Sequence, residues 1–169
     1  RKDRVSNIDK KKHFLKLIDE FDDAMLVTHA PDGELRARPM AIADTNDDGE
    51  VFFVTSVATG KVDELLRDER TLVTLQGTRK WISLTGRADF VDDRQRIRDL
   101  WKSQWALWFS EGPEDPNVVL IRIRPEEAEY WDMSGKTMAT FAFRALRALF
   151  TGDEIQPPKS NGAHAMLQL

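Results

Sequence analysis

Hydroxyls, a glycine and a lysine converge in the stretch Thr55-Ser56-Val57-Ala58-Thr59-Gly60-Lys61, which follows the apolar run Val51–Val54 and precedes Val62, Leu65 and Leu66. A strand that ends in such a loop and opens a helix presents unpaired backbone N–H groups, the positive end of a helix dipole and a side-chain cation to a single ligand. The ligand that fits this set is a phosphate. Gly60 permits close approach, and Lys61 supplies charge. The stretch is not a Walker A loop, which requires a glycine where Ser56 or Val57 stands and a hydroxyl residue where this chain has Val62. An ordinary helix cap by Thr59 would account for the same residues with no ligand, and from this stretch alone both readings stand.

A second cationic stretch, Arg36-Ala37-Arg38-Pro39-Met40, lies one strand earlier. Strand alternation puts Arg36, Arg38 and Met40 on one face, and an arginine turned toward a buried side requires an anion. Pro39 removes a ladder donor and marks an interrupted pairing where the polar rim of a planar ligand can dock. Arg38 is the functional candidate of the pair, and Arg36 reads as surface charge.

Other constellations point to packing. His13, His29 and His164 share no helix at metal-ligand spacing, so no metal site is expected. Asp44-Thr45-Asn46-Asp47-Asp48-Gly49 matches the first half of a calcium loop, but the twelfth position, which should be a bidentate Glu, is Thr55. It reads instead as an acidic hairpin turn. Trp101, Trp105 and Trp108 recur at i, i+4 and i+7, which on one helix would form an aromatic stripe suited to a core or to a dimer surface. Arg94, Arg96 and Arg98 read as the solvated side of that helix.

The elements that must position these groups follow from periodicity and turn chemistry. An amphipathic helix is expected over Ile8–Phe21, with Ser6 or Asn7 as N-cap. Strands are expected at Ala24–His29, Leu35–Ala43, Glu50–Ser56, Leu72–Gln76, Trp81–Val91 and Val118–Arg124, with Glu127–Trp131 extending the last. A short helix from Val62 to Asp68, a second from Arg94 to Trp108 and a third from Met138 to Phe150 complete the set. Six strands joined mainly by short turns, with few βαβ crossovers, predict a mainly β (α+β) fold: an antiparallel barrel or sheet with flanking helices.

The chain has 169 residues and a net charge of −4, the size of one domain, assigned here to residues 1–150, with 151–169 as a flexible tail. Its lack of cysteine excludes a disulfide scaffold, a thiolate metal site and a cysteine nucleophile. Acids and bases interleave, which argues against nucleic-acid binding. No apolar run approaches the ~18 residues that span a bilayer, and Arg1-Lys2-Asp3-Arg4 opens no signal-peptide core, so no membrane association and a cytoplasmic setting are expected.

Four pieces, in this order, resemble the pyridoxamine-phosphate-oxidase-like, FMN-binding split-barrel superfamily, and within it the general stress protein 26 branch. They are Arg36–Met40, Phe52–Lys61, Trp81-Ile82-Ser83-Leu84-Thr85-Gly86 and Ala128-Glu129-Tyr130-Trp131, within a span from about Ile8 to Trp131. The resemblance implies a six-stranded split barrel, a homodimer, and FMN, with FAD as the alternative, in clefts at the subunit interface. Arg38 and Lys61 would meet the flavin phosphate, Thr55 and Ser56 would lie along the ribityl-phosphate end, and Met40 and Ala41 would offer backbone contacts to the isoalloxazine rim. Trp131 would reach the flavin from the partner subunit, and Trp81 would approach the ring.

The chain also departs from the pattern. Where the oxidases place a lysine near the end of the second strand, this chain has Ala43, and where they place an arginine–histidine motif it reads Asp132-Met133-Ser134-Gly135-Lys136. The expected function is therefore that of a flavin-binding stress-response protein, an FMN-dependent oxidoreductase or a flavin carrier or sensor, and not a vitamin B6 oxidase. The competing expectation is a split barrel without a flavin site that serves as a protein-interaction module. No catalytic residue is assigned.

Overall fold

The computed structural model describes residues 2–134 and 164–169. Helix α1 (Lys2–Ile18) precedes strands β1 (Asp23–His29), β2 (Leu35–Thr45) and β3 (Val51–Ser56). Helix α2 (Gly60–Arg67), strands β4 (Arg70–Gly77) and β5 (Lys80–Val91), helix α3 (Arg94–Leu100), strand β6 (Val118–Asp132) and strand β7 (His164–Gln168) follow. The expected helix over Met138–Phe150 lies outside the described residues.

All strand pairings are antiparallel, in the order β3-β2-β1-β4-β5-β6-β7, and a further pairing of β3 with β6 closes the first six strands into a barrel. This is the expected six-stranded split barrel with flanking helices. Alternation builds its interior: Ala24, Leu26 and Thr28 of β1, Thr71, Val73 and Leu75 of β4, and Ile82, Leu84 and Ala88 of β5 all face inward. Phe14, Leu17 and Ile18 of α1, at i, i+3 and i+4, join the same core.

The long strand β6 changes partner partway along. Val118–Ile123 pair with β3, and Glu127–Trp131 pair with β7, so β7 covers the edge that β3 leaves. Of the stretch 151–169 expected as a flexible tail, 151–163 lie outside the described residues, and His164–Gln168 form a seventh strand. Its alternation of exposed and buried positions, with Ala165 and Leu167 inward, is the signal that the turn-rich stretch before it obscured.

Helix α1 starts earlier than expected, at Lys2, and ends at Ile18 rather than Phe21. The expected helix Arg94–Trp108 is broken. Asp93 caps α3 by accepting the Arg96 backbone N–H (3.0 Å), but Trp101 and Lys102 are extended, and a 3-10 turn, Ser103–Leu107, follows. The three tryptophans therefore form no common stripe: Trp105 is 1% exposed, Trp108 is 72% exposed, and Trp101 packs edge-on against Trp105 with ring centroids 5.6 Å apart. A single helical face would have carried all three indoles to one side. The break sends Trp105 and Phe109 down onto Phe52 and Ala43 in a second core cluster outside the barrel.

The arginines of α3 are not simply solvated. Arg94 donates to the carbonyls of Asp115 (2.9 Å) and Val118 (2.6 Å), and Arg96 lies 3.8 Å above the Phe52 ring while bonding Asp44 (2.9 Å). They tie the segment to the barrel wall. No helix among the described residues is long and apolar enough to cross a membrane.

Candidate functional site

β2 and β3 lie side by side, and Pro39–Ala41 and Val54–Ser56 line a cavity of about 410 Å³. Thr59 and Lys61 close one end, and Trp105, Trp108 and Phe109 from the segment after α3 form the opposite wall. The cavity falls in the size range of small-molecule sites, and its lining is mostly apolar with a few polar groups gathered at one end.

That end is built by the loop between β3 and α2. Lys61 Nζ donates to Thr55 Oγ1 (3.1 Å) and Thr59 Oγ1 (3.2 Å). Thr59 is the N-cap residue of α2, but its hydroxyl makes no cap bond and donates to the Ser56 carbonyl instead (2.9 Å). The capping role that could have explained the loop is absent. Ser56 Oγ accepts the Ala58 backbone N–H at 3.3 Å. Among the described residues, no carboxylate lies within ion-pair distance of Lys61. Burial pushes its pKa below the usual lysine range, with the nearby Arg38 charge adding to the effect and the Glu64 charge opposing it.

Arg38 is placed differently from the expectation. It sits beside the lysine, does not line the cavity, and donates to Thr28 Oγ1 (2.5 Å) and Glu64 Oε2 (2.7 Å). Glu64, on α2, is 5% exposed and also accepts from Thr28 (2.6 Å) and Arg36 (3.4 Å). Burial alone would raise its pKa, but the hydrogen bonds from Thr28 and Arg38 and the charges of Arg38 and Arg36 hold it below the usual carboxylate range. Glu64 therefore answers the anion requirement of Arg38, and Lys61 is the cation left to the cavity.

Of the sequence-predicted residues, Met40, Ala41, Thr55, Ser56 and Lys61 are gathered on one cavity. Trp81 and Trp131 are cross-strand partners on β5 and β6 and do not line it; Trp131 stacks on His164 of β7 with centroids 5.2 Å apart. Sequence reasoning missed Glu64 and, as cavity residues, the wall side chains Trp105, Trp108 and Phe109. Glu64 had a readable signal, since it shares the buried face of α2 with Val62 and Leu65, where an acidic residue is rare without a partner. Ala43 lies in the cluster under Trp105, and Asp132 accepts from Ser134 and pairs with His13 at 3.0 Å. Gly135 and Lys136 lie outside the described residues.

The family model described as pyridoxamine 5'-phosphate oxidase like matches residues 9–156. A curated relative, Protein bli-3 of Neurospora crassa, is 34% identical over 109 residues, covering 58% of this chain and 52% of the relative. The chain thus spans about half the length of that relative. Among solved structures, a putative general stress protein 26 from Jannaschia sp. CCS1 superposes with a TM-score of 0.73 at 21% identity, covering 96% of this chain and 99% of the other. The general stress FMN/FAD binding protein from Xanthomonas citri superposes with a TM-score of 0.62 at 24% identity, covering 75% and 90%. At these identities the two structures share the fold.

Proposed function

The chain belongs to the pyridoxamine 5'-phosphate oxidase-like family, and on that premise we propose that its cavity binds FMN with the phosphate at the Ser56–Lys61 loop. The observation that carries the reading is the Lys61 ammonium: half-buried, bonded only to hydroxyls, and set at the mouth of a small α-helix beside an apolar slot. A half-buried cation with no carboxylate partner favours an incoming anion, and a phosphate dianion with a flat apolar body matches both ends of the slot. Thr55 and Ser56 would lie along the ribityl-phosphate chain, Met40 and Ala41 would offer main-chain groups to the ring, and Arg38, restrained by Glu64, would add long-range charge.

When bound, flavin supplies the one- and two-electron chemistry that protein side chains lack. This chain's residues would bind, orient and exclude water from it, as a flavin-dependent oxidoreductase of a stress-response branch or as a flavin carrier or sensor. Purified protein is expected to be yellow or to become so with added FMN. A colourless protein that refuses FMN would leave the barrel as an interaction module.

The flavin site is expected to form in a homodimer. Leu107 and Trp108 are 82% and 72% exposed, and Trp108 stands at the cavity wall, so the slot has an uncovered apolar lip that a second copy would bury. Trp81 and Trp131, far from the slot in their own chain, would then be available to the partner's slot. Light scattering at micromolar concentration should give about twice the 19.4 kDa chain mass, and a monomer would refute the dimeric site.

Oxidation of pyridoxine or pyridoxamine phosphate is expected to be negligible even with flavin bound. A substrate phosphate leaving water requires cations. The two regions where the oxidases hold them are here an alanine packed under Trp105 and a segment led by Asp132. Oxygen-dependent pyridoxal phosphate formation at ~1 s⁻¹ or faster would contradict this.

A further inference from the structure

Lys61 lines the slot together with Trp105, Trp108 and Phe109, and its Nζ donates only to the hydroxyls of Thr55 (3.1 Å) and Thr59 (3.2 Å). A carboxylate in that place would hold the ammonium form. Hydroxyls hold it less firmly, and a hydroxyl can also donate to a neutral amine. A lysine becomes a nucleophile near neutral pH when an apolar pocket desolvates it or a second cation stands beside it. Both conditions hold here, since burial and then the Arg38 charge push the Lys61 pKa down. The opposing charge, on Glu64, is engaged by Thr28 (2.6 Å), Arg38 (2.7 Å) and Arg36 (3.4 Å). Other lysines lack this setting. Lys10, Lys12 and Lys16 are exposed on α1, Lys80 pairs with Glu20, Lys102 donates to the Ile42 carbonyl (3.1 Å), and none of them lines the slot.

We propose that in the ligand-free chain Lys61 Nζ is a nucleophile that forms an imine with a flat, apolar aldehyde seated in the slot. The ammonium first releases a proton to solvent. The amine lone pair then forms the C–N bond at the aldehyde carbon, and the carbinolamine takes up a proton and expels its hydroxyl as water. The net change joins one aldehyde and one ammonium into a protonated imine and one water, with nothing oxidised or reduced. Aromatic aldehydes suit the slot because its mostly apolar lining receives a planar body while the lysine meets the carbonyl. This activity stands on the lysine and the cavity and goes beyond the flavin reading, in which the same amine would be covered by phosphate.

The test needs no variant. Ligand-free protein is incubated near neutral pH with 2-naphthaldehyde, or with acetaldehyde as a small comparison, the imines are trapped with cyanoborohydride, and the labelled lysines are mapped by peptide mass spectrometry. With 2-naphthaldehyde, Lys61 should label ~10-fold faster than Lys10, Lys12 and Lys16. Its rate should saturate with aldehyde concentration, as binding before reaction requires, while theirs rise linearly. Acetaldehyde, which gains little from the apolar wall, should show a smaller preference. The Lys61 rate should also climb with pH and level off before those of the α1 lysines, and added FMN should protect Lys61 alone. Label spread evenly over the lysines, or a Lys61 rate that stays linear in 2-naphthaldehyde, would overturn the inference and leave the flavin reading untouched. Lys61 labelled first, with saturation, but unprotected by FMN would support the inference and count against a phosphate at Lys61.

Discussion

Lys61→Ala should raise the FMN dissociation constant by about tenfold to a hundredfold and leave riboflavin binding nearly unchanged. A charge-assisted hydrogen bond to a phosphate is worth roughly 1.5–3 kcal/mol, and each 1.4 kcal/mol is a factor of about ten. The lysine should carry the larger share of this term because Arg38 already has Glu64 at 2.7 Å and Thr28 at 2.5 Å, while Lys61 has only hydroxyls. Riboflavin, which lacks the phosphate, controls for unfolding, since general loss of structure would weaken both ligands alike. Asp47→Ala, in the exposed turn between β2 and β3, should bind FMN as the native protein does. Fluorescence titration of the three proteins with both ligands reads the outcome, and equal FMN affinities would mean the phosphate lies elsewhere.

The same lysine predicts a pH dependence with a definite sign. Burial lowers the Lys61 pKa in the free protein, so the ammonium that receives the phosphate is fully present at low pH and is lost as pH rises through a value below the usual ~10.4. FMN affinity should therefore fall on the alkaline side earlier than an exposed lysine would allow. On the acid side it should fall as the phosphate takes up its second proton near pH ~6. Lys61→Ala should lose the alkaline limb and keep the acid one.

Much of this arrangement was legible before the fold was known, and the parts that were not share a cause. Periodicity and turn signals located all six barrel strands to within a few residues: where one face meets the single interior the period of two carries that fact directly, whereas β3 and β6, buried on both faces at Val51–Phe53 and Val118–Ile121, read as apolar runs. The loop from Thr55 to Lys61 was legible as a cationic strand-to-helix junction. Its chemistry depended on Thr59, whose hydroxyl could cap the helix or turn elsewhere, and only the folded backbone shows that it bonds the Ser56 carbonyl. The partner of Arg38 was hidden for a related reason: Glu64 is 26 residues away in sequence and meets it only when α2 lies against β1 and β2. The tryptophans failed differently. Their helical spacing was real, but α3 stops at Leu100, and what decides the stop is the tertiary demand that Trp105 and Phe109 reach Phe52.

Gly86→Ala should destabilise the protein by about 3 kcal/mol or more, the upper end of what overpacking costs, and lower the melting temperature by roughly 6–12 °C for a chain of this size. Gly86 belongs to the Trp81–Gly86 stretch that carried part of the family resemblance, and the structure gives it a physical task. A Cβ there would stand 2.2 Å from the Arg124 carbonyl oxygen and 3.1 Å from the Pro125 Cα, both backbone atoms of the neighbouring strand that cannot swing aside. The close approach occurs where the register of β5 and β6 shifts: Thr85 pairs with Glu127 but Gly86 with Pro125, so Glu126 is an extra residue on β6. Such a bulge bends its strand, and this one falls where β6 leaves β3 after Ile123 and takes up β7 from Glu127. The glycine is therefore required by the split of the barrel. Gly60 is the contrast, because a Cβ there meets nothing within 4 Å, so Gly60→Ala should leave the stability of the ligand-free protein unchanged or raise it by up to about 1 kcal/mol. Urea unfolding of both variants at one protein concentration compares them directly. A Gly86→Ala protein as stable as Gly60→Ala would show that β6 can yield at Arg124 without losing its exchange of partners.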